Sequence, residues 1–101
     1  MLILIPMDGD DEKASKITTL FNVQKWALVH FDAGEAKSVS FFDDRTQTGE
    51  DWIDFVVLEN RFENYLELME EGMMVLVRRE EETVEEIVVA FKFKELDEAG
   101  L

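Results

Sequence analysis

The segment Leu2-Ile3-Leu4-Ile5, closed by Pro6, constrains the fold more than any other stretch of the chain. Four aliphatic residues in a row, with no polar alternation, fit a strand covered on both faces, so packed material is required on either side of its sheet. Beyond Pro6 the chain turns acidic, through Asp8-Gly9-Asp10-Asp11-Glu12. The run has no basic segment before it and no small-residue cleavage pattern after it, and it is too short for a signal peptide. No other stretch approaches a membrane span. The cytoplasm is therefore the expected location.

A chain of 101 residues, 47% hydrophobic and carrying eight Phe, has material for one core, and a single domain over residues 1–101 is expected. Its 24 acidic residues against 10 basic ones give a formal charge of −14. That field repels phosphate backbones and anionic lipid headgroups, which argues against nucleic acid and membrane partners. With no Cys, disulfides, thiolate metal sites and cysteine nucleophiles are excluded.

Along the chain, strand patterns fall near residues 2–6, 25–31, 36–42, 52–58 and 73–77. Asp32-Ala33-Gly34-Glu35 supplies a tight antiparallel turn between the second and third. Residues 13–22 read as an irregular segment packed by Ile17, Leu20 and Phe21. Asn60 with Glu63 makes a capping box for a helix over 61–71, with Phe62, Tyr65, Leu66 and Met69 on its apolar face and Gly72 at its end. Thr83 with Glu86 makes a second box. Residues 87–94 also fit a period-2 strand, and a helix from Thr83 to about Leu96 is preferred here, with Val84, Ile87, Val88 and Phe91 facing the sheet.

Several segments are similar, in order and character, to the NifX-type dinitrogenase iron–molybdenum cofactor biosynthesis family. Leu4-Ile5-Pro6-Met7-Asp8 resembles that family's opening strand and acidic turn. Ser15-Lys16-Ile17 and Leu20-Phe21-Asn22 resemble its Ser-(Lys/Glu)-Ile/Val and His-Phe-Gly stretches. Val29 to Glu35 resembles its hairpin, and Phe55-Val56-Val57, Leu66 to Val75 and Thr83 to Leu96 resemble its C-terminal half. The resemblance implies a three-layer α/β domain of ribonuclease H-like type: a mixed five-stranded sheet with one antiparallel strand and helices on its faces. It also implies a non-catalytic protein that carries or inserts iron–molybdenum cofactor or its precursors. Two departures stand out. Leu20 occupies the place of the family's His, and the polar stretch 43–51 is shorter than usual. Soft sulfide clusters need thiolate or imidazole ligands. No cofactor is therefore expected on the chain's own ligand chemistry, and the iron–molybdenum cofactor enters by resemblance only.

The candidate cofactor-binding residues are Ser15, Lys16, Phe21, Asn22, Arg45 and Thr46. Phe21 and Asn22 follow from the His-Phe-Gly match. Ser15, Lys16, Arg45 and Thr46, with Thr48, are hydroxyl and cationic groups that could hold an anion; the competing reading is that Lys16 and Arg45 only relieve acidic repulsion. His30, which shares a strand side with Trp26 and Leu28, is expected to be a partly buried structural histidine. Asp8, Asp10, Asp11 and Glu12 could meet Asp43 and Asp44 around Mg²⁺ or Ca²⁺, yet their spacing is not that of an EF-hand, and solvated loop carboxylates are the preferred reading.

Three functional readings stand in order. The first is a cofactor-handling or accessory binding protein. The second is a structural or regulatory interaction domain without cofactor, whose acidic surface seeks a basic partner. The third is a carboxylate–metal enzyme of ribonuclease H-like fold, and catalysis is not expected. A helical C-terminal segment leaves Val89 and Phe93 on its outer side, and a homodimer or protein-partner contact is expected there.

Overall fold

In the computed structural model, which describes residues 1–99, β1 (Leu2–Met7) lies inside a six-stranded mixed sheet of order β3-β2-β1-β4-β5-β6. β2 (Lys25–Asp32) and β3 (Glu35–Phe42) form the antiparallel hairpin that the sequence predicts. Its two-residue turn places Ala33 at φ 53° and Gly34 at φ 82°, the paired positive φ of a type I′ turn, whose twist matches that of the strands. β1 runs antiparallel to β2 and parallel to β4 (Phe55–Leu58), and β4 runs parallel to β5 (Met74–Val77).

The absence of alternation in β1 has the expected cause. Ile3, Ile5 and Met7 enter one core with Val29, Val57, Leu76 and Ile87, while Leu4 enters the other with Trp26, Leu28, Val56, Leu58 and Leu68. The first core lies under the helix α2 (Val84–Lys92) and the second under the short helix α1 (Leu66–Glu70).

Four expectations are corrected. The sheet has six strands rather than five: β6 (Asp97–Glu98) adds antiparallel to β5. Asp97 is paired with Arg79 at 3.1 Å, and a strand of two residues has no period to read. The fourth strand begins at Phe55, not Trp52. The Asp54 side chain, rather than a strand carbonyl, accepts from the Leu2 amide at 2.8 Å, and the Trp52 ring lies so close to Gly72 that a Cβ there would meet it at 2.5 Å.

The helix expected over 61–71 shrinks to five residues. Asn60 Oδ1 accepts from the Phe62 amide, and Glu63 accepts from the Asn60 amide through one oxygen and from the Leu20 amide, at 2.5 Å, through the other. The capping groups therefore close a turn and tie it to a distant loop. Phe62, placed on the apolar face by the helical reading, is 91% exposed, and the residue that α1 buries is Leu68.

The Thr83 capping box forms in full, but α2 stops at Lys92 instead of continuing to Leu96. The Glu95 amide donates to the Ala90 carbonyl at 2.8 Å and the Lys94 amide to the Phe91 carbonyl at 3.2 Å, which is a Schellman ending. Lys94 fills its left-handed position at φ 58°, where glycine is the usual occupant. Among the described residues, no helix is long and apolar enough to cross a membrane.

Candidate functional site

The sequence-nominated residues lie in the loops after β1 and β3, at the carboxyl ends of the parallel strands, where open α/β sheets most often hold ligands. The acids of the loop after β1, Asp8, Asp10, Asp11 and Glu12, are all exposed, as expected, and two of them also tie the loop into a folded knot. Asp8 Oδ1 accepts from the Lys16 amide at 2.8 Å, and Asp11 Oδ1 accepts from the amides of Lys13 and Ala14. The Ser15 hydroxyl, buried, accepts from the Asp11 amide at 2.9 Å. Those amide bonds hold the Asp11 carboxyl below its ordinary pKa by stabilising its charged form. Glu82 holds Lys16 at 3.0 Å and raises its pKa.

Asp44 caps a short 3-10 turn (Arg45–Thr48), accepting from the Thr46 amide and hydroxyl, and these bonds lower its pKa. Asp43 pairs with Lys25. Arg45 reaches over α1 to Glu71 at 2.5 Å and Glu67 at 3.1 Å, and the Glu71 bond raises its pKa. A cleft of about 240 Å³ beside it is lined by Arg45, Thr46, Thr48, Glu50, Asp51 and Glu71 among others, so its acids outnumber its one base. Of the six nominated residues, Arg45 and Thr46 share this cleft. Ser15 and Lys16 are bound into the knot, and Phe21, 95% exposed, stands with Asn22 on a surface turn. His30 is exposed between Leu2 and Ser38, not partly buried as expected, because it lies near the end of β2 where little covers the sheet. Among the described residues, no group of three or more His, Asp or Glu is arranged to hold a metal ion.

A second and larger opening, about 540 Å³, lies at the other end of the sheet. Its lining includes Phe31 from the end of β2, Phe55 and Met74 from the starts of β4 and β5, and Phe91, Lys92 and Lys94 from the end of α2. The Phe91 ring stands edge-on to Phe31 at 5.0 Å and to Phe55 at 4.9 Å, the favourable T-shaped geometry for aromatic pairs. Sequence reasoning missed this cavity. It treats Phe31 and Phe55 only as strand residues and Phe91 only as core, and the available signal was the placement of all three at ends of elements that the topology gathers at one edge.

The outer face of α2 carries Val89, 48% exposed, and Phe93, 64% exposed. Ala90, between them in sequence, is buried. A shallow depression around Val89 is lined by Glu80, Glu81, Glu85, Glu86 and Glu95. The Lys92 ammonium sits 5.6 Å from the Phe93 ring centroid.

The architecture thus defines an α/β protein with a mixed six-stranded sheet, an acidic carboxyl edge and an aromatic cavity at the opposite edge. Its fold is shared with a "putative dinitrogenase" from Methanocaldococcus jannaschii, with TM-score 0.76 and 20% identity over 99% of this chain and 95% of that one. It is likewise similar to the solved structure of PH0822, with TM-score 0.73 and 14% identity over 99% of this chain and 97% of that one. No family model and no curated protein matches the sequence.

Proposed function

We propose that this chain is a non-catalytic accessory binding protein of the iron–molybdenum cofactor biosynthesis type, with a ribonuclease H-like fold. The observation that carries the reading is the whole-chain correspondence to the "putative dinitrogenase". The strand order β3-β2-β1-β4-β5, with β2 reversed, supports the fold assignment. The donor set does not fit direct ligation of a soft metal–sulfide cluster. The chain has no Cys, Leu20 stands where the resemblance has an imidazole, and exposed His30 lies on a strand away from that loop. The accessory role therefore runs through protein contact rather than through side-chain ligands on the cofactor.

The α2 face is the proposed contact. Of its apolar pair, Val89 is bordered by five glutamates while Phe93 lies beside the Lys92 ammonium, and a symmetric pairing centred on Val89 would set like charges against each other. That arrangement favours a partner with an apolar anchor and a basic rim over a second copy of this chain. Anaerobic gel filtration tests the reading with isolated iron–molybdenum cofactor, alone and together with the cofactor-free protein that receives it. The chain is expected to elute colourless with cofactor alone and to co-elute with the recipient, and Val89→Lys or Phe93→Glu is expected to abolish co-elution while the variants stay folded. A dark stoichiometric complex with cofactor alone would overturn the ligand argument, and absence of co-elution would overturn the accessory role.

A further inference from the structure

We propose that the cavity walled by Phe31, Phe55 and Phe91 and flanked by Lys92 and Lys94 is a binding site for an amphipathic organic monoanion, a planar or aliphatic apolar body carrying one carboxylate. This inference goes beyond the accessory reading and stands without it, because the cavity and the α2 contact face use different residues.

Three observations carry it. The volume, about 540 Å³, lies within the usual range for small-molecule pockets of roughly 300–1,000 Å³, and its walls are mainly aromatic and aliphatic. The two edge-to-face contacts of Phe91 fix the rings in place, so the wall is preformed rather than dependent on ligand for its order. In a chain of 10 basic and 24 acidic residues, two of the basic ones line this one cavity. Glu98 is the single acid on the same lining, against Lys92, Lys94 and the Met1 ammonium that donates to the Phe31 carbonyl, so the local balance is positive and suits an anion.

Lys94 adds an independent argument. It occupies the left-handed position that ends α2, at φ 58°, where an L side chain is strained and glycine is not. The lysine lines the cavity from that strained position. Residues held in such conformations cluster at ligand clamps, where the side chain's task offsets its conformational cost.

The test uses 2-naphthoate as probe and neutral 2-naphthylmethanol as its uncharged counterpart, titrated into the full chain by isothermal calorimetry. Saturable one-site binding of 2-naphthoate is expected, about tenfold tighter than the alcohol, the factor that one charge-assisted contact supplies. Lys94→Gly is expected to weaken 2-naphthoate several-fold while raising the thermal midpoint, so lost affinity cannot be laid to unfolding. Met74→Trp, a substitution at a half-exposed rim residue, is expected to block the mouth and remove binding of both compounds with the fold intact. Absence of saturable 2-naphthoate binding, equal affinity for acid and alcohol, or full binding by Met74→Trp would each overturn the proposal.

Discussion

The two ends of the sheet solve opposite problems with different kinds of residue. At the carboxyl end, acids and bases are abundant and largely committed: Asp8 and Asp11 hold backbone amides, Asp44 caps a turn, Lys16 is held by Glu82 and Arg45 by Glu67 and Glu71. At the amino end, charges are few, and three phenylalanines keep open a space that the core does not fill. Charge density is therefore a poor guide to where this protein binds anything. Groups already satisfied by the backbone shape loops, whereas a rigid apolar wall with a little unspent charge beside it can recognise a ligand.

The strongest way to break this comparison is to remove the shared ring. Phe91→Ala deletes both edge contacts and part of the core beneath α2, and a loss of about 3 kcal/mol is expected in urea unfolding. A loss under about 1 kcal/mol would mean that the aromatic wall is not a preformed element. At the other end, Ser15→Ala leaves the Asp11 amide without its buried acceptor, and about 1–2 kcal/mol is expected to be lost. An unchanged midpoint would show that the knot does not depend on that hydroxyl.

Smaller, and opposite in sign, are the two left-handed residues. Ala33→Gly in the hairpin turn and Lys94→Gly at the end of α2 each relieve a strained φ, and each is expected to gain about 0.5–1 kcal/mol. Destabilisation by either would contradict the strain assigned to these positions. The smallest effect concerns pH. Asp11, Asp44 and Glu86 have folded pKa values below their ordinary ones, each chiefly through bonds from backbone amides. Because the folded values are the depressed ones, their stabilisation is present above the ordinary carboxylate range, near pH 4, and fades as pH falls through it towards the folded values. Melting curves from pH 7 to pH 3 should show this decline, and Asp11→Asn with Asp44→Asn should flatten it. A parallel decline in that double variant would assign the acid sensitivity elsewhere.

How far the sequence reveals the molecule is clearest from its two capping boxes. Thr83 and Glu86 satisfy each other's amides and start a nine-residue helix, as their spacing implies. Asn60 and Glu63 have the same spacing, yet Glu63 gives one oxygen to Leu20, 43 residues away in sequence, and a turn results instead of a helix. The local pattern is alike in both, and the long-range donor that diverts the second, the Leu20 amide, cannot be read from it. β1 and the hairpin were legible because burial on both faces and a two-residue turn are local properties. The cavity was not, since it needs Phe31, Phe55 and Phe91 to meet across three elements, and nothing in the sequence marks Lys94 as the residue that would take glycine's place in a Schellman ending. Among the nominated residues, Arg45 and Thr46 line one cleft, but the acids that hold Arg45 belong to α1 and its end, beyond the reach of any local pattern.

Which end of the sheet binds is decided most directly by amide chemical-shift mapping of the ¹⁵N-labelled chain during titration with 2-naphthoate. The account predicts saturating shifts at Phe31, Phe55, Met74, Phe91, Lys92 and Lys94, with residues 8–22 and 45–48 unmoved. Saturating shifts confined to residues 8–22 and 45–48 would contradict it and return the site to the acidic end.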